Sequence, residues 1–247
     1  MPWRVVRARG PAVKHCPRIA CSCGLAGLLA GMPAHAHEFH GYASLVSDYV
    51  FRGASQSNED PTVQGGLDYA HPGGVFAGVF ATGTDYPEND FGSDPGSFEL
   101  DAYLGYSRAA SRDWSWDVSV LHYDFPDSTG FDYSYDELAA NLHFRDVLRV
   151  GATASDDAGG GGASGWTAEV ELRHALPRGF LLSGSLGRYE FARSDWDDYL
   201  YWDLGVSAVA GEVTFDLRYY DTDGNYAGFA GESLTGSRLV GSVSVGF

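Results

Sequence analysis

"SLVSDYVFRGASQSNEDPTVQGGLDY" (residues 44–69) is the stretch on which the fold turns. Apolar and polar residues alternate through it as in a β-strand, with Tyr49 and Phe51 on one parity and Asp48 and Arg52 on the other. In a water-soluble sheet the charged face would meet solvent and the aromatic face the core. In a barrel surrounded by lipid the assignment reverses, and the charges point into the lumen. The remainder of the chain has to choose between these.

The first residues are a targeting segment. Arg4, Arg7, Arg9, Lys14 and Arg18 form a basic region, "IACSCGLAGLLAGMP" an apolar stretch too short to span a bilayer, and "AHA" (34–36) a small-residue cleavage site. Residues 1–36 are therefore expected to be a Sec signal peptide and 37–247 the mature unit. Cys16, Cys21, Cys23 and the one lysine all lie in the leader. The mature part keeps 11 arginines against 33 acidic residues, a formal charge of −22. That composition excludes a disulfide scaffold and thiol chemistry, and offers nothing basic enough for nucleic acid. Its aromatic content argues against disorder, and no apolar run after residue 36 reaches the length of a membrane helix.

The mature chain reads as twelve alternating segments: 42–52, 62–70, 74–83, 97–106, 114–123, 135–144, 147–155, 165–174, 180–189, 199–208, 212–220 and 238–247. The connections alternate long and short throughout. Long ones such as 53–61, 84–96 and 221–237 interleave with "AHPG", "RD" and "VAG". An outer-membrane barrel keeps this rule, with tight turns on the periplasmic side and long loops outside; a Greek-key sandwich has no reason to. Several short turns carry Arg (Arg108, Arg112, Arg145, Arg178) while the long loops are acidic.

Within strands one parity is apolar. Leu138, Ala140, Leu142 and Phe144 oppose Glu137, Asn141 and His143, and Trp166, Ala168, Val170 and Leu172 oppose Glu169, Glu171 and Arg173. Mid-strand charges two residues apart, Glu171/Arg173 and Asp216/Arg218, fit ion pairs across a polar interior. Tyr49, Tyr106, Trp114, Tyr123, Trp166, Tyr189, Tyr199 and Tyr219 sit near strand ends, where interfacial girdles are expected. The chain closes on Phe247 after an alternating strand, a C-terminal aromatic of the kind expected to be read as an assembly signal. The predicted fold class is all-β, a transmembrane antiparallel up-and-down barrel of about twelve strands.

The stretch Ser47, Asp48, Tyr49, Phe51, Arg52, Gly53, Ser55, Gln56 and Ser57, followed by Gln64, Gly65 and Asp68, resembles the signature of the TorF (Gcw_chp) family of proteobacterial porin-like proteins. "ELDAYLGY", "YDELAANLHF" and the terminal "SVSVGF" resemble its later strands, so the likeness covers the mature chain. The resemblance implies an outer-membrane porin. It also implies a cysteine pair in the last long loop, which residues 221–237 lack.

Candidate chemistry is sparse. His37, His40, His71, His122, His143 and His174 lie in no recognisable nucleophile context, and Ser55 and Ser57 near Asp48 have no base beside them in sequence, so no enzyme is expected. Asp221, Asp223, Asn225 and Glu232 have calcium-loop spacing, but Tyr226 stands where that loop needs Gly. "HEFH" (37–40) reads as an exposed tail, and no cofactor is expected. The polar parity predicts a lumen lined by Asp48, Arg52, Gln64, Asp68, Glu99, Asp101, Asp117, Glu137, Asn141, Arg149, Glu169, Glu171, Arg173, Asp203, Asp216 and Arg218. Its acidic excess favours cations. In this reading Tyr49 and Phe51 face lipid, Asp48 and Arg52 find partners such as Gln64 or Asp68, and "GASQSNEDP" is the first outer loop.

The expected function is passive diffusion of small polar solutes or ions through a weakly cation-preferring channel in a Gram-negative outer membrane. Its partners would be outer-membrane lipid and lipopolysaccharide, the barrel assembly machinery, and the solutes themselves. The alternative is a non-conducting barrel whose acidic outer loops bind a surface partner or a divalent ion.

Overall fold

The computed structural model describes residues 37–86, 94–192, 196–223 and 234–247. The wall is made of β1 (Glu38–Val46), β4 (Thr62–Ala70), β5 (Val75–Gly83), β6 (Phe98–Ala109), β7 (Trp114–Asp124), β8 (Tyr135–Phe144), β9 (Leu148–Ser155), β10 (Gly165–Ala175), β11 (Phe180–Phe191), β12 (Tyr199–Ala210), β13 (Val213–Thr222) and β14 (Arg238–Gly246). Each strand pairs antiparallel with its sequence neighbour in the wall. The ring closes where β1 meets β14, with Tyr42 opposite Gly246 and Val46 opposite Ser242. The result is a closed twelve-stranded antiparallel barrel. Closure leaves no strand edge unpaired, which is the condition for a sheet to be solvated by lipid.

The two faces are inverted relative to a water-soluble domain. Every wall strand turns large apolar side chains outward, among them Leu45, Leu67, Leu104, Leu138, Leu172, Leu204, Leu217 and Leu239, all about half exposed or more. Moving one such side chain out of water is worth about 1.5–3 kcal/mol, so this outer surface is built for an apolar surrounding. The buried face carries Glu99, Asp101, Asp117, Glu137, His143, Asp203 and Arg218.

The first strand departs from expectation. The wall strand ends at Val46, and the chain leaves the sheet at Ser47 instead of continuing to residue 52. It then folds into a small hairpin, β2 (Val50–Phe51) against β3 (Ala54–Ser55). The two-residue turn Arg52–Gly53 has φ of +49° and +82°, the paired positive values that tight hairpins require. Gly53 supplies one of them without penalty, and a Cβ there would also collide with Thr222 and Tyr201 of the wall.

This hairpin lies inside the barrel. Ser55 N donates to Leu234 O at 2.8 Å, Ala54 bridges Thr235, and Val50 is buried with Tyr220 and Val240. Tyr49 is buried with its ring against Phe80, and Phe51 packs on Tyr123. The expectation that Tyr49 and Phe51 face lipid is thus overturned, and "GASQSNEDP" begins as an internal hairpin. An alternating strand and a short inward hairpin have the same local pattern; the positive-φ turn separates them.

The aromatic girdle is corrected in the same way. Tyr106, Trp114, Trp166 and Tyr219 stand on the outward parity of their strands. Tyr123, Tyr189 and Tyr199, also expected at the interface, are buried on the inner face, where Tyr123 stacks on Tyr135 at 4.4 Å.

Candidate functional site

The hairpin tip carries Arg52 across the barrel to the opposite wall. Its Nη1 and Nη2 donate to the two carboxylate oxygens of Glu137 on β8 at 2.6 and 2.7 Å, and Nη2 also donates to Thr153 Oγ1 on β9 at 3.1 Å. The guanidinium lies 4.6 Å from the Phe51 ring centroid and 4.9 Å from that of Tyr189 on β11. Tyr123 donates its hydroxyl to the same carboxylate at 3.3 Å. Arg52 and Glu137 are both buried. A two-pronged pair of this kind is among the strongest and most directional polar contacts a protein makes.

A second ion pair roots the hairpin. Asp48 accepts from Ser55 Oγ at 2.6 Å, Ser57 Oγ at 3.1 Å and Arg238 Nη1 on β14 at 3.0 Å. Arg238 also donates to Leu234 O at 2.7 Å. The hydroxyls of Ser57 and Ser55 accept in turn from the backbone N–H groups of Tyr49 and Glu59, both at 2.9 Å. Asp48 thus meets Arg238, not the expected Gln64 or Asp68. Arg238, Ser55, Ser57 and Thr153 were absent from the predicted lining. Arg238 shares the inner parity of β14 with Val240 and Ser242, which was readable in the sequence; the serine contacts depend on the hairpin.

Below the hairpin, one side of the wall carries a dense ionic belt. Asp117 accepts from Asn141 Nδ2 at 2.9 Å and lies 2.5 Å from His143 Nε2. Asn141 Oδ1 accepts from Arg149 at 3.2 Å, and Arg149 pairs with Glu169 and, at 3.1 Å, with Glu171. Glu171 also holds Arg173 on its own strand at 2.5 Å. Further round, Arg218 joins Asp203, Asp216 at 3.3 Å and Ser183 Oγ at 2.8 Å. The expected two-apart pairs exist, and each is also tied across strands.

The β4–β6 side differs. Asp68, Glu99 and Asp101 are buried there, and among the described residues none takes part in an ion pair. Glu99 accepts from the Tyr49 hydroxyl at 3.4 Å, while among the described residues neither oxygen of Asp101 accepts a hydrogen bond and Gln64 Nε2 donates none. The lumen is therefore lopsided, with paired charges on β7–β13 and carboxyl groups without a cationic partner among the described residues on β4–β6.

Of the proposed calcium residues, Asn225 and Glu232 lie outside the described residues, as does the predicted leader. Asp221 accepts from the Thr222 N–H and the Tyr219 hydroxyl, and Asp223 from the Leu200 N–H. Phe247 is exposed, and its backbone exchanges two 2.9 Å hydrogen bonds with Gly41.

Among solved structures, the chain is similar to the KdgM porin, with a TM-score of 0.52 and 8% identity over 85% of this chain and 99% of that one. KdgM porin in complex with disordered oligogalacturonate gives a TM-score of 0.52 and 7% identity over the same shares. The NanC porin gives 0.51 and 11%, again over 85% and 99%. At these identities the likeness is one of fold. No curated protein matches the chain. The family model described as "Bacterial protein of unknown function (Gcw_chp)" matches residues 30–245, and the chain belongs to that family.

Proposed function

We propose that the protein is an outer-membrane channel for passive diffusion of small polar solutes or ions, preferring cations. The observation that carries this reading is the closed barrel with an apolar exterior and an interior lined by buried ionic side chains. A barrel needing only to anchor in lipid has no use for ten inward acids; a channel uses them to replace water around a passing ion. Cation preference is supported by Asp68, Glu99 and Asp101, carboxyl groups with no cationic partner among the described residues. The porin likeness of the fold and the resemblance of residues 44–68 to the TorF family point the same way. The basic and apolar leader supports export by the Sec route before insertion by the barrel assembly machinery, among outer-membrane lipid and lipopolysaccharide.

The test is conductance of the refolded protein in planar bilayers under a salt gradient. A reversal potential of cation-selective sign supports the reading. Absence of any conductance across variants with and without the hairpin would sink it and leave a non-conducting barrel. The second reading, closure, is favoured by one observation: the hairpin spans the lumen and is pinned at both root and tip.

A further inference from the structure

The environment of Arg52 is divided between the internal hairpin and the barrel wall. Arg52 and Phe51 belong to the hairpin, which hangs from the wall by its two ends. Glu137, Thr153 and Tyr189 belong to the wall strands β8, β9 and β11. The wall groups form a receptor by themselves. A carboxylate presents two oxygens in one direction, a hydroxyl oxygen stands beside it, and an aromatic ring lies within cation–π distance of the group between them. The carboxylate is further held by Tyr123 at 3.3 Å.

We propose that this wall site is a binding site for planar organic cations bearing a guanidinium group, and that Arg52 is its tethered resident ligand. Solutes of that class compete with Arg52 for Glu137, and their binding releases the hairpin tip from the far wall. The inference rests on the channel reading for its consequence, solute-dependent opening, but not for the site itself. Guanidinium is favoured over ammonium on geometry. Two N–H groups meet the two oxygens at 2.6 and 2.7 Å, a third bond reaches Thr153, and the guanidinium carbon lies 4.9 Å from the Tyr189 ring centroid. A compact ammonium has no fork to match the carboxylate and no plane to stack.

The experiment uses Arg52→Ala, with Arg52→Gln as the fuller-volume alternative, and methylguanidinium against methylammonium as probes. Folding is checked by heat-modifiable gel mobility before any reading. In planar bilayers the Arg52 variants are expected to conduct severalfold more than wild type. Millimolar methylguanidinium should raise wild-type conductance toward that of the variants, whose tip is already free, at about one-tenth of the methylammonium concentration needed or less. Glu137→Gln should lose the response, with methylguanidinium affinity at least about tenfold weaker. Equal response to the two probes, or a response that survives Glu137→Gln, overturns the inference.

A second readout separates the site from the channel reading. Binding to the folded state alone raises the thermal midpoint. Methylguanidinium should therefore raise that of Arg52→Ala in detergent and move wild type clearly less, because there it must first displace Arg52. Silence in the bilayer with this shift present overturns only the channel reading. Absence of the shift overturns the site.

Discussion

The guanidinium of Arg52 and the carboxylate of Glu137, 85 positions apart in sequence, meet through two hydrogen bonds of 2.6 and 2.7 Å in the barrel interior. This contact fixes the hairpin tip to the far wall, so its energetics bear on both stability and conduction. Removing one partner of a buried pair strands the other charge, which costs about 3–5 kcal/mol. Glu137→Ala and Arg52→Ala should each lower the urea midpoint of the barrel in detergent. The double variant should lose clearly less than the two single losses combined. Simple additivity would show that the two groups act independently.

The hairpin root makes a separate prediction. Asp48 gathers Ser55, Ser57 and Arg238, so Asp48→Ala removes the acceptor for all three. Proteolytic cleavage within residues 50–60 should rise in Asp48→Ala while the barrel keeps its folded gel mobility. Asp48→Asn, which retains one acceptor oxygen, should fall between it and wild type. Cleavage at the wild-type rate in Asp48→Ala would argue that the tip contact alone holds the hairpin.

Gly53 tests the turn. With φ of +82° and wall atoms of Thr222 and Tyr201 pressed against it, it has room for no side chain. Gly53→Val combines backbone strain of about 1–3 kcal/mol with that collision. The expected result is a folded barrel with an unlatched hairpin, read as increased conductance matching Arg52→Ala. Conductance equal to wild type would mean that the hairpin is free to adapt.

Selectivity should depend on the bare acids more than on their number alone. Glu99→Gln with Asp101→Asn removes two carboxyl groups that no neighbouring cation pairs with, so the reversal potential should move toward non-selective values. Gln at Glu99 keeps an acceptor for the Tyr49 hydroxyl. An unchanged reversal potential would place the selectivity elsewhere in the lumen.

Outside the wall, Asp127 ties two long connections together by accepting from the Ser97 N–H at 2.9 Å and the Ser97 hydroxyl at 2.7 Å. These bonds hold its carboxyl below the usual carboxylate range. A group whose folded value is depressed contributes fully above its unfolded value, about 3.9, and loses that contribution as pH falls through the folded one. The Ser97 amide resonance should therefore titrate with a midpoint below about 3.9, and the step should vanish in Asp127→Asn. A midpoint at or above that value would refute the clasp.

Much of the barrel was legible before any coordinates. Period-two alternation fixes which side chains share a face, so Leu138 with Leu142, and Glu137 with Asn141, follow from spacing alone. Alternating long and short connections determine an up-and-down order, and an even number of such strands can close. The ionic belt was legible in part: Glu171 and Arg173 stand two apart on one strand, but their link to Arg149 needs the register of β9 on β10. Tyr123, Tyr189 and Tyr199 lie near strand ends but on the inward parity, so their position along the strand predicts a girdle that their face denies.

The sequence by itself determined the closed sheet and the inverted faces, because each follows from local periodicity and from the impossibility of unpaired backbone in lipid. Only the tertiary structure decided the fate of residues 47–57. A short alternating stretch suits a wall strand and an internal hairpin equally well at the local level. The choice rests on partners far away in sequence: Arg238 at the root, Thr222 and Tyr201 behind Gly53, and Glu137 at the tip. Asp48 and Arg52 were read as two charges of one lumen-facing strand. They are the two ends of a bridge across it, because each found an opposite charge on a different side of the wall.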